Sequence, residues 1–504
     1  MPLKKNENQI LINSLNSHRL HPRSWLQQQA QLHPTRPAFY FENKRWSFAA
    51  LNQSVQRYAT YFAQKLPENE KRVAIHSQNS EQCYLTILAL WELGLEVQFL
   101  NTHLTSEEIA FQLADAETKW LITEHTHIFV TSSLLEFPSP TQLPVVDQLD
   151  YHDSGYDEEK IASIMYTSGT TGKPKGVPQT FANHRASAFA TKMNMKLTAS
   201  ESWICCLPLY HISGLSILLR SLVLGISVRL HTNFSPERIH EELLEGQEIC
   251  LSVVTKTLKD LLPLVPENGY ATAPKLLLGG GPVDRETLSE CVVKKLLVIQ
   301  SYGMTETCSQ VVALSPEKAS EKLGSAGVPL TGTRLKIETN QDQQTTGEIL
   351  LKGPTIASHY LNYRDEESWT QDGWFRTGDL GHLDEDGFLY VDSRMSELII
   401  SGGENIYPAE IESTLLQSEL IQEVVVVGRR DERWGQRPVA YLVVREMADL
   451  TSDELARVLQ PLATFKHPSE VFSVSRIPKT ASGKPLKRLF LTEERVNYIE
   501  NQLK

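Results

Sequence analysis

The stretch Tyr166-Thr167-Ser168-Gly169-Thr170-Thr171-Gly172-Lys173-Pro174-Lys175-Gly176 follows directly on the apolar run Ile161-Ala162-Ser163-Ile164-Met165. A hydroxyl-, glycine- and lysine-rich loop at a strand end suits a polyphosphate. Glycines let backbone N–H groups curl around phosphate oxygens, hydroxyls add donors or reach a divalent cation, and lysines supply positive charge. The P-loop pattern needs four residues between a glycine and a Gly-Lys-Ser/Thr, and no register of this stretch provides it. The residues therefore predict a nucleotide-triphosphate site of another construction. The same composition also describes an ordinary surface turn, so the reading depends on what accompanies the loop.

Outward from the loop, between about residues 70 and 305, short β-rich runs alternate with helical patterns. The apolar segments are Val73-Ala74-Ile75, Cys83 to Leu93, Ile161 to Tyr166, Ser213 to Leu224, Leu251 to Val254, Leu276 to Leu278 and Leu296 to Ile299. Such alternation predicts an α/β fold of mainly parallel sheets covered by helices, with ligands at the carboxyl ends of strands. From about residue 334 the pattern becomes strands separated by Asp/Gly turns: Arg334 to Glu338, Gly347 to Leu351, and Phe388 to Val391 after Asp386-Gly387. This predicts a β-rich subdomain. After Arg394 a compact α+β unit follows, with helices over Pro408 to Gln417 and Ser452 to Leu462 and strands over Val424 to Val427 and Val439 to Val444. The expected division is a large domain over residues 1–395 and a small mobile domain over 396–504.

At 504 residues the chain exceeds the size of a single core. A composition 41% hydrophobic and 22% charged is that of a globular protein. The net charge of −12 argues against a nucleic-acid-binding surface. Six scattered cysteines (83, 205, 206, 250, 291, 308) lack the spacing of a zinc site or a disulfide scaffold and read as reduced core residues. No window approaches the roughly 18 uncharged apolar residues of a membrane span, and the N-terminus is polar. The expected compartment is the cytoplasm and the expected partners are small molecules.

Four further stretches carry chemistry: Gln300-Ser301-Tyr302-Gly303-Met304-Thr305-Glu306-Thr307; Trp374-Phe375-Arg376-Thr377-Gly378-Asp379 with Asp392-Ser393-Arg394; Leu398 to Glu410, containing Ser401-Gly402-Gly403-Glu404; and Pro478-Lys479-Thr480-Ala481-Ser482-Gly483-Lys484. A carboxylate such as Glu306 is a hard oxygen ligand suited to Mg²⁺. One such as Asp379 can accept hydrogen bonds from ribose hydroxyls. Taken with the loop at 166–176, these motifs, in this order, resemble the acyl-adenylate-forming superfamily, whose members include acyl-CoA synthetases, peptide-synthetase adenylation domains and luciferases.

That resemblance implies carboxylate activation by ATP to an acyl-AMP, followed by attack of a thiol. It assigns the phosphate loop to Thr167, Ser168, Gly169, Thr170, Thr171, Gly172 and Lys173. Tyr302 stacks on adenine, Thr305 meets the α-phosphate, and Glu306 with Thr170 holds Mg²⁺. Asp379 and Arg394 take the ribose, and Gly280, Gly281 and Ser301 line the nucleotide side. Gly403 lines the pantetheine tunnel of CoA, and Lys484 bridges the substrate carboxylate and the α-phosphate. Ser396 falls at the hinge, where the family usually has Asp or Lys, and Ser393 replaces a usual Gly. Lys487 stands where the family has arginine and receives no role. Family members are often dimeric or larger, so a homo-oligomer is compatible with the resemblance.

The acid is read from Pro208 to Leu215 and the apolar helix that follows, which carries one charge, Arg220. His211 resembles the family's gate to the acyl pocket, the lesser alternative being a satisfied core histidine. Arg220 either snorkels to the surface or meets an anionic group of the substrate. Stretches His211 to Ser216, Leu278 to Pro282, Gln300 to Gln310 and Lys322 to Gly327 resemble bacterial 2-succinylbenzoate-CoA ligases of menaquinone biosynthesis. There Arg220 would hold the benzoate carboxylate while the succinyl carboxylate is activated, with Gly279 at the aryl end. The alternatives are another aryl- or acyl-CoA ligase, an adenylation enzyme loading a carrier protein, and a nucleotide-binding protein without catalysis.

Overall fold

The computed structural model describes residues 24–124, 132–145, 157–167, 174–280, 283, 285–339, 345–364, 366–401, 404–445, 450–479 and 485–503. By packing, the chain divides into two compact units: Met1–Leu335 with Leu351–Phe375, and Lys336–Leu350 with Arg376–Lys504.

The first unit holds two sheets. The nine-stranded sheet runs in the order Val328–Pro329, Ser309–Leu314, Leu297–Met304, Lys275–Leu278, Ile249–Val253, Ser202–Cys205, Ser227–Leu230, Pro37–Phe41, Lys44–Ser47. Its six central strands are parallel, and antiparallel pairs finish both ends. The six-stranded sheet runs Ser133–Leu135, Trp120–Thr123, Arg72–His76, Glu96–Leu100, Ile161–Thr167, Lys175–Thr180, parallel except for its last pair. Strand Ile249–Val253 is buried at every position, as continuous apolar runs in parallel sheets require.

The runs Cys83 to Leu93 and Ser213 to Leu224 form the helices Glu81–Glu92 and Ile212–Leu224. Both are buried on nearly all sides, so they are apolar all round rather than amphipathic. The main core joins them to residues of both sheets. Trp91 extends this link, its indole N–H donating to the Ala162 carbonyl at 2.8 Å. No helix among the described residues is long and apolar enough to cross a membrane.

Most of the four-stranded sheet Arg334–Glu338, Gly347–Lys352, Phe375–Leu383, Leu389–Arg394 falls in the second unit. That unit also contains a six-stranded sheet built on the long hairpin Ile421–Asp431 and Gly435–Val444. Helices Pro408–Leu415 and Ser452–Leu459 pack on that sheet through Ile411, Leu415, Leu455 and Leu459. Packing groups Phe375–Leu383 and Leu389–Arg394 largely with the C-terminal residues, whereas the expected boundary after residue 395 concerns the hinge.

Candidate active site

The stretch expected to bind phosphate lies between strands Ile161–Thr167 and Lys175–Thr180, which pair antiparallel with Thr167 opposite Lys175. A strand, not a helix, therefore follows the loop, which separates it structurally from a P-loop. Residues 168–173, which include Ser168, Gly169, Thr170, Thr171, Gly172 and Lys173, lie outside the described residues. The loop's start is pinned by Tyr166, whose hydroxyl donates to Asp115 Oδ2 at 2.8 Å, while Asp115 also pairs with Arg364. Burial, with the adjacent Asp115 carboxylate, pushes the Tyr166 phenol well above its ordinary range.

Glu306 is brought to this hairpin. It sits in the 3₁₀ turn Thr305–Thr307 that joins strands Leu297–Met304 and Ser309–Leu314. Gly303 allows the turn: a Cβ there would lie 2.1 Å from the Ser309 carbonyl oxygen. The Thr307 hydroxyl accepts from the Met304 amide at 2.9 Å and donates to the Ser309 carbonyl at 2.6 Å. Gln179, on the loop's second strand, donates to the Thr305 carbonyl at 2.5 Å. Glu306 is 7% exposed. Its Oε1 accepts from Tyr360 at 2.8 Å and from Thr167 at 3.5 Å. The Lys175 ammonium lies 5.2 Å from the Tyr360 ring centre. Burial lowers the Lys175 pKa, opposed by the charges of Glu306 and Glu367.

This donor set suits a hard divalent cation held by one carboxylate plus ligand oxygens. No group of three or more His, Cys, Asp or Glu among the described residues forms a metal cage.

At the same strand ends, Leu278 pairs with Gln300, which sets Gly279 and Gly280 beside Ser301 and Tyr302. The Ser301 hydroxyl donates to the Leu278 carbonyl at 2.9 Å. Gly281 lies outside the described residues.

His211 is the N-cap residue of helix Ile212–Leu224 and sits edge-on to Tyr210, centroids 4.8 Å apart. The loop before it is held by Asn79, which accepts from the Leu209 amide at 2.9 Å and donates to the Leu207 carbonyl at 2.9 Å. Gly214 is required by close approach, because a Cβ there would lie 2.3 Å from the Pro208 carbonyl.

Arg220 does not snorkel. It is 1% exposed, since its helix is enclosed on all sides. Its guanidinium lies 4.7 Å from the Trp203 ring centre and donates through Nη2 to the Ser309 hydroxyl at 3.0 Å. Nε and Nη1 have no hydrogen-bond partner among the described residues. Burial pulls its pKa down to about 9. Burial and, second, the Arg220 charge push His184 down to about 3.

In the second unit, Asp379 and Arg394 are direct cross-strand partners. Arg394 Nε meets Asp379 Oδ1 at 2.9 Å, and Asp379 is 4% exposed. Thr377 fixes the turn, accepting from the Asp379 amide at 3.1 Å and donating to the Ile349 carbonyl at 2.8 Å. Ser396 lies in the 3₁₀ turn Met395–Glu397. Gly403 and Lys484 lie outside the described residues.

A separate cleft of about 530 Å³, lined by Arg36, Tyr40, Arg45, Ser202 and Ser227 among others, lies at the N-terminal strand ends of the large sheet. The motifs occupy the opposite strand ends. Sequence reasoning missed Tyr360, Gln179, Trp203, Ser309 and Asn79. None lies in a motif that points to its role except Ser309, which stands just beyond the Glu306 turn.

The model of the AMP-binding enzyme family matches residues 26–361, and that of the AMP-binding enzyme C-terminal domain matches residues 410–484. The 2-succinylbenzoate-CoA ligase of Enterococcus faecalis is 48% identical, over 94% of this chain and 99% of the relative. That of Listeria monocytogenes is 42% identical, over 92% and 97%. The o-succinylbenzoate CoA synthetase of Bacillus subtilis, solved with its acyl-adenylate intermediate, superposes with a TM-score of 0.86 at 39% identity, covering 95% of this chain and 99% of the other. The same enzyme solved with ATP and magnesium gives 0.84 at 39% identity, covering 92% and 98%.

Proposed function

The chain belongs to the AMP-binding enzyme family, and from that premise we propose that it joins 2-succinylbenzoate to CoA in an ATP-dependent, AMP-forming reaction of menaquinone biosynthesis. The observation that carries ATP-dependent activation is the meeting of Glu306 with Thr167 and Tyr360, with Lys175 beside them. The choice of acid follows the relatives, and the buried Arg220 guanidinium suits a substrate bearing a second carboxylate.

In the first half-reaction an oxygen of the succinyl carboxylate attacks the α-phosphorus and the bond to pyrophosphate breaks. In the second, the CoA thiol attacks the acyl carbon and AMP departs. Little covalent work falls to the protein; it positions the partners and stabilises developing charge.

The loop residues Thr167 to Lys173 cradle the β- and γ-phosphates, and Thr305 meets the α-phosphate. Glu306 and Thr170 would hold Mg²⁺, which supplies charge neutralisation on the phosphates when bound. Tyr302 stacks on adenine beside Gly280, Gly281 and Ser301, while Asp379 and Arg394 take the ribose hydroxyls. Arg220 takes the benzoate carboxylate, Gly279 borders the ring, and His211 gates the acyl end. Lys484 serves adenylation, and Gly403 borders the pantetheine path after a rotation about Ser396 moves residues 396–504. We place the enzyme in the cytoplasm, where ATP and CoA are available.

The test is pyrophosphate release with ATP and Mg²⁺ from 2-succinylbenzoate, benzoate, 4-coumarate and medium-chain fatty acids, with and without CoA. Preference for 2-succinylbenzoate with CoA-dependent turnover is expected. Preference for another acid removes the pathway assignment, and CoA-independent turnover with a carrier protein would make it a carrier-loading enzyme.

A further inference from the structure

The loop that carries Lys484 is closed tightly at its base. Lys479 and Pro485 form an antiparallel bridge, the Leu486 amide donates to the Pro478 carbonyl at 2.8 Å, and Lys479 pairs with Glu423 at 2.7 Å. Immediately beyond, Lys487 Nζ lies 2.6 Å from Glu397 Oε2 and 3.0 Å from Glu412 Oε1, with 18% of its side chain exposed. Glu412, on helix Pro408–Leu415, also accepts from the Val426 amide at 2.8 Å, so it is itself fixed to the long hairpin. Glu397 belongs to the turn Met395–Glu397, which contains Ser396 and directly follows Arg394. Burial disfavours the Lys487 ammonium, but Glu412 and Glu397 outweigh it and hold the amine above its ordinary range.

We propose that Lys487 is a positioning residue for adenylation: through Glu397 and Glu412 it ties the flank of the Lys484 loop to the segment 395–397. The inference rests on the reading of Lys484 as the adenylation lysine. Only two residues separate Lys484 from Lys487, so losing the Lys487 ion pairs removes one anchor of this flank and leaves the Lys479–Pro485 bridge and the Leu486–Pro478 hydrogen bond to hold it alone. Lysine is a flexible point charge on a four-carbon stem and acts only as accurately as its backbone is held. A misplacement of about 1 Å at a reacting group can cost about 100-fold.

Adenylation by full-length Lys487→Ala, measured as pyrophosphate release in a single turnover, is expected to fall about 10- to 100-fold. Thioester formation from preformed acyl-AMP changes less than about 3-fold, as does adenylation by Lys487→Arg, which keeps the charge between both carboxylates. Glu397→Gln, at a half-exposed partner, gives a smaller loss confined to adenylation and carries the test if Lys487→Ala does not fold. Lys484→Ala is the control. If Lys484→Ala is selective for adenylation while Lys487→Ala and Glu397→Gln leave it intact, or lower both half-reactions equally, the inference is overturned. Failure of Lys487→Arg to restore adenylation overturns it as well. If Lys484→Ala itself shows no selectivity, the underlying reading of Lys484 fails instead.

Discussion

The Tyr360 hydroxyl donates to Glu306 Oε1 at 2.8 Å across 54 positions of sequence. With the Thr167 hydroxyl on the same oxygen, two donors fix the carboxylate that we propose as the Mg²⁺ ligand, leaving Oε2 for the cation in that reading. A hydrogen bond to a charged group is worth about 1.5–3 kcal/mol.

Tyr360→Phe is therefore expected to raise the Mg²⁺ concentration for half-maximal activity about 10-fold, without changing the acid preferred. Magnesium titration of pyrophosphate release checks this; an unchanged midpoint would detach Tyr360 from the cation site.

Arg220 is a buried cation whose hydrogen bond goes to the Ser309 hydroxyl, with no carboxylate paired to it among the described residues. Replacing even a buried ion pair by apolar residues of similar volume is often neutral or stabilising by about 1–4 kcal/mol, and a buried charge without an opposite partner is costlier still. Arg220→Met is expected to raise the melting temperature of the ligand-free protein while abolishing the upward shift given by 2-succinylbenzoate. It should raise the KM for that acid about 100-fold, in line with removal of one charge-assisted partner. Differential scanning calorimetry with and without the acid decides it, and a retained ligand shift would remove Arg220 from the substrate.

Asp379 is oriented by Arg394 at 2.9 Å. If it accepts from the ribose, wild-type enzyme should prefer ATP over 2′-deoxy-ATP or 3′-deoxy-ATP about 10-fold in kcat/KM. Asp379→Asn should lose most of that preference and raise the KM for ATP. Equal discrimination in both proteins would contradict the role.

His184 is neutral in the fold because burial, and then the charge of Arg220, push it down to about 3 from an ordinary 6.5. The unfolded chain binds that proton first, so the stability associated with His184 is complete above about pH 6.5 and is lost as pH falls toward 3. His184→Gln, keeping a partner for Ser163, should flatten the fall of melting temperature over this window. An unchanged slope would show that other groups set the acid sensitivity.

The contiguous motifs were legible because neighbouring residues in each carry the chemistry: Glu306 sits in a turn between two strands and Asp379 within a strand. Glu306 and Asp379 were found in this way. Tyr360 and Gln179 were not, because sheet pairing and chain return bring them to Glu306 from distant positions. The side to which Arg220 points could not be read either. A helix that is apolar all round has no polar face to orient it, and only its enclosure settles that the arginine is inside. The strand expected over Val424 to Val427 extends to Ile421–Asp431 because Arg429, Arg430 and Asp431 pair with Arg437, Gln436 and Gly435 beyond its apolar centre. Local hydropathy ends before the hydrogen bonds do.

The most direct test of the whole account follows the oxygen of the attacking carboxylate. With ¹⁸O in the succinyl carboxylate of 2-succinylbenzoate, ATP, Mg²⁺ and CoA, mass spectrometry should find one ¹⁸O in the AMP released. With ¹⁸O in the benzoate carboxylate it should find none. Transfer from the benzoate carboxylate would reverse the substrate's orientation about Arg220, and unlabelled AMP from both acids would contradict an acyl-adenylate route.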